Sequence, residues 1–170
     1  CEASRYTLCN LGMCDEAILE HFVRRTLTYM DSKGDQRRID DNGIANLREP
    51  IVILGEPGSG KSRLLRHISS QNNAVLRSAA AFVTHPNPAL LVQRSSILLI
   101  DGLDELAAAH ESEPVNRVLS QLIRAGCPPF ILSCRVADWR GAIAREDITQ
   151  EYGVSPKEFF LEPLSRAAAV

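Results

Sequence analysis

Apolar positions follow two rhythms along this 170-residue chain. Three short unbroken runs, Ile51-Val52-Ile53-Leu54, Ile97-Leu98-Leu99-Ile100 and Phe130-Ile131-Leu132, have the length and continuity of strands buried on both faces of a parallel sheet. Between and before them the apolar residues are spaced. Ile18, Leu19, Phe22, Val23, Leu27 and Met30 recur at helical intervals and predict a helix over residues 15 to 30. The following stretch from 31 to 43, DSKGDQRRIDDNG, is polar with two glycines and reads as a linker. Ser62 to Ile68 reads as a helix, and Ala74 to Val83 supplies another strand whose end is blurred by the alanines at 79 to 81. Pro86 and Pro88 mark residues 84 to 88 as loop. Ser112-Glu113-Pro114 opens a helix with Val115, Val118, Leu119, Leu122 and Ile123 on its buried face, and Gly126 with Pro128-Pro129 ends it. Strands alternating with helices predict a three-layer α/β core over residues 44 to 170, preceded by an N-terminal helical extension and linker over 1 to 43.

The ends of the apolar runs carry the chemistry. Directly after Leu54 comes Gly55-Glu56-Pro57-Gly58-Ser59-Gly60-Lys61-Ser62, which matches the phosphate-loop pattern G-x-x-x-x-G-K-[ST]. A polyphosphate needs many donors converging on one point. Glycines at 55, 58 and 60 let the backbone turn tightly enough for successive N–H groups to provide them. Lys61 adds a mobile positive charge for the β and γ phosphates, and the Ser62 hydroxyl is a hard oxygen ligand suited to Mg²⁺. The helix that follows, from Ser62 and Arg63 onward, turns its positive end to the same anion.

A second group follows the run at 97 to 100, in Asp101-Gly102-Leu103-Asp104-Glu105. Ligands of open α/β sheets bind at the carboxyl edge of the strands, so Asp101 is placed to hold Mg²⁺ through water. Asp104 and Glu105 lie within reach of a water attacking the γ-phosphate; Glu105 is also a natural helix-capping acid. Arg135 follows the third apolar run and has two readings. One is a sensor of the γ-phosphate; the other is a salt bridge to Asp101 or Asp138 with no nucleotide contact.

The combination GEPGSGKS with ILLIDGLDE resembles the NACHT group of STAND P-loop NTPases. In that family a small residue follows the first Walker-B acid and further acids stand two and three places on, as Gly102, Asp104 and Glu105 do here. Phe130 to Arg135 is similar to the family's fourth core strand with its sensor-1 arginine, and Phe159 to Ser165 to the fifth strand and the start of the next subdomain. The resemblance spans about residues 45 to 165. It implies a five-stranded parallel sheet in the order 5-1-4-3-2. It further implies ATP or ADP binding with Mg²⁺, slow hydrolysis coupled to a conformational switch, and self-association or docking on partner domains. The segment from Ile44 to Pro50 is where the family builds part of its adenine pocket. Catalysis would fall to Asp104, Glu105, Lys61 and Arg135, nucleotide binding to residues 55 to 63, and the metal to Ser62 and Asp101. Two alternatives stand beside this reading: a regulatory module that binds nucleotide with negligible hydrolysis, and another P-loop ATPase of the AAA+ type. A guanine-specific N-K-x-D motif and a transporter-type L-S-G-G-Q signature are both absent.

Composition narrows the remaining classes. With 19 basic against 21 acidic residues the net charge is −2, and the pairs Arg24-Arg25 and Arg37-Arg38 read as solvated surface rather than a nucleic-acid footprint. No apolar run has the eighteen or so residues of a membrane helix, and cytoplasmic residence is the expectation by default. Five cysteines, at 1, 9, 14, 127 and 134, contain no C-x-x-C pair and argue against a zinc site or a disulfide framework. Cys134 reads as a buried thiol, Trp139 as a packing residue, and His67 as a surface residue or a phosphate contact. The chain opens on Cys1 and closes on Arg166-Ala167-Ala168-Ala169-Val170 as a new helix begins, which reads as an excised core or a partial sequence.

Overall fold

The computed structural model describes residues 22–92, 97–108, 114–139 and 141–164. Seven strands form one sheet: β1 (Thr26–Met30), β2 (Gln36–Asp40), β3 (Ile51–Leu54), β4 (Ala74–Ser78), β5 (Ile97–Asp101), β6 (Phe130–Cys134) and β7 (Lys157–Leu161). Their spatial order is β2-β1-β7-β3-β6-β5-β4. From β7 to β4 all neighbours are parallel, while β1 runs antiparallel to both β7 and β2.

The central strands are buried because their residues alternate between two apolar layers. Ile51 and Ile53 of β3, Leu99 of β5, Ile131 of β6 and Phe159 of β7 share one core with Ile44, Leu64, Leu65 and Ile68. The last four come from helices α1 (Asp41–Ala45) and α2 (Lys61–Gln71). Val52, Leu54, Leu98, Ile100, Leu132 and Cys134 point to the opposite face. There they meet Phe82 of α3 (Ala79–Val83), Leu91 of α4 (Ala89–Val92) and Leu103 and Leu106 of α5 (Leu103–Ala108). Val118, Leu119 and Leu122 of α6 (Pro114–Arg124) and Ile148 of α7 (Gly141–Tyr152) complete that layer. A parallel sheet covered on both faces is the arrangement that unbroken apolar runs require.

Several expectations are corrected. The sheet has seven strands in place of five, because residues 26 to 30, expected as the end of a helix, form β1, and residues 36 to 40, expected as linker, form β2. Thr26, Leu27, Thr28 and Tyr29 favour extended backbone, and Leu27 pairs with Leu161 while wholly buried. That burial overrides a 3.6-residue spacing that five residues carry equally well as alternation. The rest of the expected helix, residues 15 to 21, lies outside the described residues, as do Cys1, Cys9, Cys14, Ser112, Glu113 and residues 165 to 170. The supposed linker is ordered structure: a turn at 31 to 35, then β2, then the start of α1. The strand expected over 74 to 83 ends at Ser78, whose hydroxyl caps α3 by accepting from Ala81 N at 3.2 Å. Helix α7 had no counterpart in the sequence pattern.

Candidate functional site

The turn between β3 and α2 wraps the ammonium of Lys61. Lys61 Nζ donates to Gly55 O at 2.7 Å and to Glu56 O at 3.1 Å, and Ser59 N donates to Glu56 O at 3.1 Å. Gly58 and Gly60 take φ of 74° and 93°, the left-handed region that L side chains avoid. At Gly55 the constraint is spatial: a Cβ would stand 2.7 Å from Ser59 Oγ, which is buried without a hydrogen-bond partner among the described residues. Gly60 caps α2 with backbone only, and the first helical hydrogen bond runs from Leu64 N to Gly60 O. Gly60, the N-cap residue, makes no side-chain cap hydrogen bond, so the start of α2 suits an anion. Glu56 and Pro57 are exposed at the rim of the turn.

Asp101 ends β5, one strand beyond β6 from the loop. Its Oδ1 accepts from Ser133 Oγ at 2.6 Å, and Ser133 Oγ in turn accepts from Gly102 N at 2.9 Å. Ser133 is wholly buried on β6, so this hydroxyl fixes the carboxylate and the turn behind it. The lone polar side chain in Phe130-Ile131-Leu132-Ser133 was the available signal for this role. It was missed because a serine in a strand is usually read as neutral packing.

Asp104 and Glu105 occupy the first turn of α5 and part company there. Glu105 is exposed, its N–H donating to Gly102 O at 3.1 Å. Asp104 has only 8% of its side chain exposed and pairs with Arg135, whose Nε lies 2.6 Å from Asp104 Oδ2. The partner of Arg135 is thus neither of the acids expected for a salt bridge, Asp101 or Asp138. Adjacent Cys134 is wholly buried, and burial, with the charges of Asp104 and Asp138, pushes its thiol up to about 12. The buried-thiol reading of Cys134 agrees with this position.

Two further residues depart from expectation. Arg25, expected at the solvated surface, is 6% exposed; Nη1 donates to Ser59 O at 2.8 Å and Nη2 to Glu162 O at 2.7 Å. Burial draws its guanidinium below the usual arginine range. Nothing in a lone Arg-Arg pair signals this. His67 is half-buried rather than a free surface residue: Nε2 lies 3.1 Å from Asp41 Oδ2, and the ring stacks on Phe22 at 3.6 Å between centroids. Trp139 packs against the core and donates from Nε1 to Glu158 Oε1 at 2.9 Å. Ile44, in the segment associated with a base pocket, is buried with Leu64 and Leu65. Among the described residues no helix is long and apolar enough to cross a membrane.

No family model matches the chain, and no curated protein matches it by sequence. Among solved structures it is similar to AMPPCP-bound DnaA from Aquifex aeolicus, at 17% identity and a TM-score of 0.46 over 67% of this chain and 41% of that one. It is also similar to domain III of the Thermotoga maritima replication initiation protein DnaA, at 14% identity and a TM-score of 0.48 over 75% of this chain and 60% of that one. Katanin, in a structure addressing its self-assembly, is similar at 20% identity and a TM-score of 0.44, over 69% of this chain and 42% of that one. The chain therefore spans less than two thirds of each of these relatives.

Proposed function

We propose that this chain is the nucleotide-binding module of a NACHT-like switch, which binds ATP or ADP and hydrolyses ATP slowly. The observation that carries the reading is the β3-loop-α2 unit, with Lys61 opening a helix whose N-cap is Gly60, beside a glycine-formed turn, at the same sheet edge as Asp101. Chemistry at such a site is mostly positioning and charge neutralisation. Lys61, the loop amides of residues 55 to 60 and the N–H groups of Ser62 and Arg63 would hold the phosphates.

Mg²⁺ fits the donor set, since an ion carried by a triphosphate needs only one or two protein oxygens. The Ser62 hydroxyl would ligate it, and Asp101 would reach it through water with the oxygen that Ser133 does not engage. The bound ion would offset charge on the phosphate oxygens. Asp104, and less directly Glu105, would orient the attacking water. Arg135 would exchange its bond to Asp104 for the γ-phosphate. Self-association or docking on partner domains would carry the output, and residence in the cytoplasm fits such a role.

Calorimetric titration of ATP, ADP and GTP with Mg²⁺ into the chain and its Lys61→Ala variant tests the reading. Adenine nucleotides are expected to bind the wild type and to lose at least tenfold in affinity without Lys61. Absence of binding to the folded wild type, or equal binding to both proteins, counts against it.

A further inference from the structure

Arg25 is a buried cation held by two carbonyl oxygens, and among the described residues no carboxylate pairs with it. The nearest acidic residue along those contacts, Glu162, offers Arg25 only its backbone oxygen. Its carboxylate is engaged 3.0 Å from Arg38 Nε. Buried charges are ordinarily neutralised by a partner, since desolvation costs several kcal/mol per ion. An arginine left in this state points to a counter-charge supplied from elsewhere.

Its position says where. Nη1 binds the carbonyl of the Ser59–Gly60 peptide, one residue before Lys61, and a Cβ on Gly60 would stand 2.6 Å from that nitrogen. In a planar trans peptide the C=O and N–H point in opposite directions. A guanidinium bound to Ser59 O therefore leaves the Gly60 N–H pointing away from itself and polarises it as a donor. The second arm of the fork ties the same group to the chain just after β7. Lysine, with a compact point charge, lacks the planar fork that spans both carbonyls.

We propose that Arg25 is the positioning residue of the phosphate loop: it orients the Ser59–Gly60 peptide from behind, and the polyphosphate is the counter-charge its burial leaves unmet. The inference rests on the nucleotide reading above. It makes a prediction opposite to that for a merely structural arginine. A structural role puts the loss in the nucleotide-free fold and leaves affinity alone; a positioning role does the reverse.

The experiment compares the whole chain with Arg25→Gln and Arg25→Lys, by thermal unfolding without nucleotide and by calorimetry with Mg²⁺-ATP and with inorganic tripolyphosphate. Glutamine keeps one donor and removes the charge, so the nucleotide-free unfolding midpoint is expected to match or exceed that of the wild type. Affinity for both ligands should fall about tenfold, the scale of one charge-assisted contact. Arg25→Lys is expected to bind both ligands more tightly than Arg25→Gln and less tightly than the wild type. A lowered nucleotide-free midpoint or failure to fold in Arg25→Gln, with Arg25→Lys binding tripolyphosphate as the wild type does, would overturn the inference. So would wild-type affinity in Arg25→Gln, which leaves the nucleotide reading standing. A wild type that binds neither ligand overturns both.

Discussion

Arg135 Nε and Asp104 Oδ2 stand 2.6 Å apart, joining the end of β6 to the first turn of α5. The two partners are unequally exposed, 46% for the arginine side chain and 8% for the aspartate, so the contact matters mainly as the satisfaction of a buried carboxylate. Arg135→Ala is expected to destabilise the fold by about 1–3 kcal/mol, less than a fully buried pair because the arginine is partly solvated. Asp104→Asn should cost less, and the double variant should recover part of the Arg135→Ala loss, since no stranded charge remains. Urea unfolding of the four proteins measures this; strictly additive losses would contradict the coupling.

The same aspartate separates binding from hydrolysis on the proposed function. Asp104→Asn keeps the loop and Lys61 intact, so ATP affinity should stay within about threefold while phosphate release slows by about 10²-fold, the scale of a lost general base. Equal loss of affinity and rate would assign Asp104 to binding instead.

Ser133 Oγ both donates to Asp101 Oδ1 and accepts from Gly102 N. Ser133→Ala removes both bonds at a part-buried site, and a loss of about 1 kcal/mol is expected for the groups left without this partner. Asp101 would also lose its fixed orientation. On the proposed function, a shift of the Mg²⁺ dependence of hydrolysis to higher concentration is the readout that packing alone would not move.

Cys134 links stability to alkaline pH. Its thiol is raised to about 12 in the fold, against about 8.5 for an unperturbed cysteine. Below the unfolded value both states hold the proton. Between that value and the folded one only the unfolded thiol ionises, so stability falls as pH rises through this window. Cys134→Ala is therefore expected to flatten the decline of the unfolding midpoint above about pH 8.5, by the share of one proton. An unchanged slope would mean the thiol titrates normally.

At the β1-β2 turn Asp31 accepts from Arg37 Nε, Lys33 N and Asp35 N, each at 2.9 Å. The hydrogen bond from Arg37, followed by those from the backbone, holds its carboxyl below the usual range. The stabilisation is present at neutral pH and lost as pH falls through the lowered value, below about 4. Asp31→Asn should lower the protection factors of the Lys33 and Asp35 amides at pH 7, and acidification below about pH 4 should lower them in the wild type, each measured against the intrinsic exchange rate at that pH.

The glycine turn at 55 to 60 and the acids at 101 to 105 were legible in the chain because their information is local. An apolar run, a turn that only glycines permit, and a helix start are contiguous, and the run at 97 to 100 ends on its own carboxylate. Even the doubly buried strands announced themselves by unbroken hydrophobicity. What the sequence left open depends on partners far along the chain. Arg25 reaches an oxygen 137 residues away, and Ser133 reaches Asp101 across 32. A five-residue stretch such as 26 to 30 fits helix or strand until β7 offers it an edge. Whether Asp104 faces water or Arg135 is likewise decided by how α5 packs on the sheet. Local pattern determined where the chain turns and what chemistry each turn can carry; burial and pairing across the sheet decided which charged groups face inward, and against whom.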